Sequence, residues 1–186
     1  MKYFKLNLLM VFILLSFAAL CQEQPGLNEV AKTNDEIQVL LAEAEISIDQ
    51  LDFDSAMEQL NHSLELSKSI GHKRYIALTS SIIAKLYYIK HDYERAITEL
   101  QRAISIQREI EDEVGLAYSY VNFGKTFLAK KDAQRALSYF NQAERIYKER
   151  EDEEHLGIIS LNRGSVYLNL IGDHEKALAE LNKAES

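Results

Sequence analysis

The feature that most constrains this chain is a recurrence at intervals of 40 residues. Ala44, Ala84, Gly124 and Gly164 follow one another at that spacing. Ala56, Ala96 and Ala136 repeat it 12 residues later, and Ala177 follows one residue late. Leu60, Leu100, Phe140 and Leu181 stand four residues past these alanines, and Ser63, Ala103, Ala143 and Ala184 three further on. Tyr87, Phe127 and Tyr167 each come three residues after the first small position. A fixed period of this length marks stacked units, each too small to bury its apolar face alone. Small residues at two facing places let a pair of helices approach closely, while Leu, Phe or Tyr beside them fills the gaps.

The units are helical because nothing between them interrupts a helix except short turns. The only proline is Pro25, so the residue that most reliably ends helices is missing from Gly26 to Ser186. Runs of β-branched residues flanked by turn dipeptides are also missing, which leaves strands without support. Polar triplets separate the two small positions: Lys90-His91-Asp92, Lys130-Lys131-Asp132 and Gly172-Asp173-His174. Asp92, Asp132 and Asp173 each stand four residues before the next alanine, where a carboxylate caps a helix start. The extra residue of the last unit is expected in the turn beside Gly172, where an insertion is cheapest. Helices are expected near 34–49, 52–69, 73–89, 92–110, 113–129, 132–149, 153–170 and 174–186. The fold class is all-α.

Four passages carry a family resemblance. Tyr120-Val121-Asn122-Phe123-Gly124-Lys125-Thr126-Phe127 and Ala133-Gln134-Arg135-Ala136-Leu137-Ser138-Tyr139-Phe140-Asn141-Gln142-Ala143 resemble the tetratricopeptide repeat in its forty-residue form. So do Asn162-Arg163-Gly164-Ser165-Val166-Tyr167 and Glu175-Lys176-Ala177-Leu178. The likeness covers residues 34–186, read as repeats 34–72, 73–112, 113–152 and 153–186. Repeat one departs from it, with Ser47 in the aromatic place and Ser63 for the last alanine, as a polar terminal unit of a solenoid does. The family's usual proline between repeats is absent. The resemblance implies a right-handed α-solenoid of about four antiparallel helix pairs.

Residues 1–21 read as a secretory signal peptide. Lys2 and Lys5 precede an apolar run from Leu6 to Leu20, too short to span a bilayer comfortably, and Ala18, Ala19 and Cys21 form a small-residue exit. Cleavage after Cys21 leaves Gln22 as the new N-terminus. The competing reading makes Cys21 a lipidated cysteine, against which Leu20 stands as a poor preceding residue. Residues 22–33 are expected to be linker, broken by Pro25 and Gly26. The expected location is periplasmic or secreted, with lipid anchoring through Cys21 as the alternative.

The remaining residues offer no reaction chemistry. Cys21 is the one cysteine, and His62, His72, His91, His155 and His174 lack ligand partners at helical spacing, so no metal is expected. There is no phosphate-cradling glycine loop and no nucleophile elbow, so neither a cofactor nor catalysis is expected. The formal charge is −8, from 21 basic and 29 acidic residues, without the basic stripe that nucleic acid requires.

The resemblance implies instead a groove for a protein or peptide, lined by the first helix of each pair. By position, the candidates are Ser81, Lys85 and Tyr88 in repeat two. Repeat three supplies Tyr118, Val121, Asn122, Lys125 and Leu128, and repeat four Ile158, Leu161, Asn162, Ser165 and Leu168. Asn122 and Asn162 are the sharpest, because an amide both donates and accepts, as a peptide unit demands. Repeat two has Ile82 in that place. Lys85 and Lys125 suit an acidic or C-terminal group. The chain stops at Ser186 inside its last helix with Leu178 and Leu181 uncovered, which suggests self-association through that helix or a truncated membrane receptor with a missing C-terminal anchor. The expected function is thus a non-catalytic binding scaffold. The alternatives are the sensory part of such a receptor and, more remotely, an enzyme with an unrecognised site.

Overall fold

The computed structural model describes residues 25–184; the expected signal peptide and Cys21 lie outside them. Eight helices follow: α1 (Pro25–Asp49), α2 (Phe53–Ser69), α3 (Lys73–Ile89), α4 (Tyr93–Glu109), α5 (Glu113–Ala129), α6 (Ala133–Glu149), α7 (Glu153–Val166, extended by a wide turn over Tyr167–Ile171) and α8 (His174–Ala184). No strand occurs among the described residues. No helix among them is long and apolar enough to cross a membrane.

Helices α2 to α6 are each 17 residues long, and one turn design joins every consecutive pair. The chain passes through a left-handed residue: Leu51, His91, Glu111, Lys131 and Glu151 at φ of 55–62°, Gly71 at 66° and Gly172 at 76°. The next residue caps the following helix. Asp52, Asp92, Asp112, Asp132 and Asp152 accept hydrogen bonds from the backbone N–H groups of Ser55, Arg95, Gly115, Arg135 and His155. His72 Nδ1 accepts from Tyr75 N, and Asp173 from Lys176 N. Each cap satisfies one of the N–H groups that a helix start leaves without an intrahelical partner. Asp92, Asp132 and Asp173 cap as the sequence predicts. Asp52, Asp112, Asp152 and His72 extend the rule, so helices are joined between repeats as they are within them.

Two sequence expectations need correction. The supposed linker is helical from Pro25, because proline suits the first helical turn, where its missing N–H would be unpaired anyway. The inserted residue of repeat four does not lengthen the turn. In repeats two and three the capping aspartate N–H bonds back to the carbonyl of Tyr87 or Phe127, and Asp173 N–H reaches Tyr167 in the same way. The extra residue sits inside that loop, taken up as a π-type turn over Tyr167–Ile171. A widened last turn preserves both the left-handed Gly172 and the Asp173 cap.

Packing follows the 40-residue register. Ala44, Ala84, Ala56, Ala96 and Ala136 are all buried, as are Leu60, Leu100 and Phe140. A Cβ added at Gly124 would lie 2.4 Å from Phe140 Cε1, whereas at Gly164 it would meet Leu181 at 3.3 Å. Glycine thus faces the phenyl ring, and alanine (Ala84) occupies the same place in the repeat that carries Leu100. Tyr87, Phe127 and Tyr167 are each covered by a cation, Arg95 at 4.9 Å, Arg135 at 4.2 Å and Lys176 at 5.6 Å from the ring centre. Repeat one has lost both partners of this contact, with Ser47 and Ser55 in their places. Ser47 bonds Gln59 instead, and buried Ser63 pairs with Thr79 at 3.0 Å, so its departures from the pattern are paired polar groups.

Candidate functional site: the inner face of the array

Contacts between repeats decide which side of the array is inner. The first helices touch one another in sequence, α1 with α3, α3 with α5 and α5 with α7, while α2, α4, α6 and α8 do not meet one another. The first helices therefore form the closer-spaced, concave side.

On that side lies a cavity of about 420 Å³. Helix α3 contributes Lys85 and Tyr88, α5 contributes Tyr118, Val121, Asn122 and Lys125, and α7 contributes His155 and Ile158. Glu45 of α1 and Tyr147 of α6 complete the wall, with Leu100 and Thr126 at its base. A neighbouring hollow of about 640 Å³ shares Tyr118, Tyr147 and His155 with it and runs out past Arg74 and Arg150. Local folding explains the convergence: residues 40 apart occupy the same position on successive first helices, so Lys85 and Lys125 come side by side.

Two lysines and one glutamate supply the formal charges of the wall. Lys85 lies 3.8 Å from Glu45. Lys125 has no carboxylate within 4.0 Å among the described residues; burial, and then the neighbouring Lys85 charge, push its ammonium pKa down. Burial drives the Tyr118 hydroxyl up, helped by Glu45 and opposed by the Asn122 amide beside it. Tyr88 is raised by burial and by Tyr93, and Tyr147 is pushed to about 12 by burial, with Asp152 and Tyr118 adding to it. These phenols are therefore neutral donors at ordinary pH. Asn122 Nδ2 is buried and makes no hydrogen bond of good geometry. His155 stacks on Tyr147 at 4.5 Å between ring centres and is held by Asp152 at 2.9 Å.

The structure brings six of the eight principal sequence candidates together: Lys85, Tyr88, Tyr118, Asn122, Lys125 and Ile158. Asn162 and Ser165 lie outside the cavity, each bonded to its own helix, Asn162 to the carbonyl of Ile158 and Ser165 to that of Leu161. Asn122 and Asn162 therefore do not form a ladder. Ser81 is buried against Ser119 and serves packing, Val121 combines burial with a place in the wall, and Leu128 packs against the core. Leu161 and Leu168 are exposed, as are Ile171, Leu178 and Leu181 on the last pair. Sequence reasoning missed Glu45, Tyr147 and His155. Tyr147 belongs to a second helix, outside the positions that define the inner face. His155 is the first-turn residue that the Asp152 cap aims inward, a signal readable only once that cap is recognised. No group of three or more His, Cys, Asp or Glu suited to a metal occurs among the described residues.

Antiparallel helix pairs stacked in one direction, with a lined cavity on the inner side, define a helical repeat array. The tetratricopeptide repeat family model matches residues 75–149, so that stretch of the chain is built of tetratricopeptide repeats. Among solved structures it is similar to BtubC (BKLC) from P. vanneervenii, at 22% identity and a TM-score of 0.68. That likeness, which shows the fold, covers 80% of this chain and 61% of the other, so the chain spans less than two thirds of that protein's length. No curated protein matches the chain.

Proposed function

We propose that this chain is an exported, non-catalytic scaffold that binds a protein or peptide partner on its concave face. Tetratricopeptide repeats are protein-interaction scaffolds, and that is the coarse part of the reading. The observation that carries the local part is the cavity in which equivalent positions of three first helices converge, with Lys125 facing no carboxylate among the described residues and the Asn122 amide beside the Tyr118 hydroxyl. A peptide unit needs both a donor and an acceptor, and Asn122 supplies them from the groove wall. Export rests on the basic start, short apolar run and small-residue exit of residues 1–21. It is tested by sequencing the mature N-terminus, which the reading places at Gln22.

The binding test is selection from a displayed random-peptide library, followed by calorimetry on the enriched peptides. Asn122→Ala is expected to fold normally and to bind them more weakly by about 0.5–1.5 kcal/mol. Equal affinity of the two proteins removes Asn122 from the site. Self-association through exposed Leu178 and Leu181 is a separate proposal, and sedimentation equilibrium of Leu178→Lys against the parent chain decides it.

A further inference from the structure

We infer that this array stacks end to end: the outer side of the last helix pair of one copy receives α1 of a second copy, in the register that joins the chain's own repeats. The inference rests on the self-association reading and deepens it by naming the surface that the last pair meets. It does not depend on what the concave face binds.

Each repeat has a leading and a trailing side, and the contacts between repeats identify them. On the leading side, Thr79 pairs with Ser63 of the preceding repeat at 3.0 Å, and Ser119 donates to Gln107 of the preceding repeat at 2.8 Å. On the trailing side, Ser81 meets Ser119 of the following repeat at 3.1 Å. Residues 40 apart share a side, so the same places recur in every repeat. Thr79, Ser119 and Ile159 are buried at the leading place, and so are Leu86, Thr126 and Val166 seven residues on. Leu41, Ser81 and Val121 are buried at the trailing place, each with a repeat following it.

The two ends leave one side of each kind open. Val39 and Ile46 hold the leading places in α1, and they are 56% and 57% exposed. Leu161 holds the trailing place in α7 and is 50% exposed. Leu168, seven residues on, is 46% exposed, where Ile48 is buried and Leu128 packs against the core. At these places neither end is polar, as the closed end of a solenoid is. The open residues also match each other. Leu161 against Val39 repeats the apolar chemistry of Val121 and Ile159, which share one core, whereas Ser81 and Ser119 are polar on both sides.

A trailing side is shaped for a leading side, and the leading side left open belongs to α1. A second copy therefore supplies the matching surface. Contact between two different faces is heterologous, so it grows into an open chain of copies unless the rotation closes a ring. Glu36 and Glu43 stand in α1 where later repeats carry Ile76, Leu116 and Leu156, or Ile83 and Phe123. Burying carboxylates is costly, so the junction is narrower and weaker than an internal one.

Two end-blocked forms of the mature chain provide the test. Val39→Asp/Ile46→Asp closes the leading side, and Leu161→Asp/Leu168→Asp closes the trailing side. All four residues are exposed, so both forms are expected to keep the parent's circular dichroism. If either loses it, the single changes Ile46→Asp and Leu161→Asp take their place. Sedimentation velocity is run from about 10 μM to about 1 mM, the weak end of specific association. The parent's mean mass is expected to rise about twofold or more across that range. Each blocked form alone stays monomeric. Their equimolar mixture forms dimers and stops there, because it offers one open leading side and one open trailing side. A parent or a mixture that remains monomeric throughout overturns the inference. Association of the leading-blocked form with itself means that last pairs meet one another, which overturns the end-to-end register while leaving self-association through the last pair standing. Association of the trailing-blocked form with itself means that α1 pairs with α1, and it overturns both.

Discussion

Gly124 offers the sharpest test of why the 40-residue register exists. Adding one methyl group there places a carbon 2.4, 2.6 and 2.7 Å from three atoms of the Phe140 ring. The ring is fully buried between α5 and α6, so it cannot swing aside as a chain end would. Overpacking of this kind costs about 1–3 kcal/mol, and the upper half of that range applies to a rigid ring. Replacing a helical glycine by alanine returns roughly 1 kcal/mol of propensity. The net expectation for Gly124→Ala is a loss of about 1–2 kcal/mol. Gly164→Ala meets Leu181 Cγ and Cδ2 at 3.3 Å and the Ala177 carbonyl oxygen at 3.4 Å, milder contacts that offset the gain in helix propensity, and its expected effect is within about 1 kcal/mol of neutral. The double variant Gly124→Ala/Phe140→Leu rebuilds the Ala84–Leu100 pair of repeat two. Its stability is expected to exceed the sum of the single effects by at least about 1 kcal/mol. Urea unfolding followed by circular dichroism, at an unchanged m-value, measures the cycle. Additivity within about 0.3 kcal/mol would refute the pairing of small and large residues as the basis of the register.

Other predictions follow from the turns, the caps and the last pair. Glu151→Gly removes a non-glycine residue from the left-handed region and is expected to stabilise the array by up to about 1 kcal/mol, whereas Gly71→Ala destabilises it by a similar amount; thermal melts compare them. The carboxylates of Asp52, Asp132, Asp152 and Asp173 are held below their usual pKa of 3.8, mainly by hydrogen bonds from the residue three places on. Their contribution to stability is therefore complete above that value and lost as pH falls through the lower folded values. A chain with asparagine at all four caps is expected to lose less stability than the parent on acidification below about pH 4, and parallel curves would contradict this. Arg163 joins Glu144 at 2.9 Å to the buried Glu180 at 3.1 Å. Arg163→Ala is expected to cost about 2–3 kcal/mol, read as faster hydrogen exchange in α8, and Arg163→Met/Glu180→Leu to recover most of it.

Much of this fold is legible in the sequence because the determining residues recur. Seven of the helix starts fall within a residue of the positions set by the period and its capping aspartates. The start of α1 is not legible, because Pro25 and Gly26 read equally well as a break or as a first turn. The wide turn at Tyr167–Ile171 is hidden because an inserted residue has the same sequence whether a helix or a turn absorbs it. The candidate site is half legible. Lys85, Asn122 and Lys125 follow from register alone, but the fate of Asn162 depends on a local choice. Its amide bonds the carbonyl of Ile158, a competition between backbone and ligand that spacing does not encode. Tyr147 and His155 enter the wall through the packing of α6 on α7, which is a property of three dimensions.

The central claim is that the concave side binds and the outer side does not. A photo-crosslinking residue placed at Tyr88, in the cavity wall, and separately at Tyr139, in the outer hollow with Phe123 and Arg108, tests it most directly against a library-selected peptide. The account predicts a covalent adduct from position 88 that excess unlabelled peptide suppresses, and none from position 139. An adduct from position 139 alone would place the binding surface on the other side of the array and contradict it.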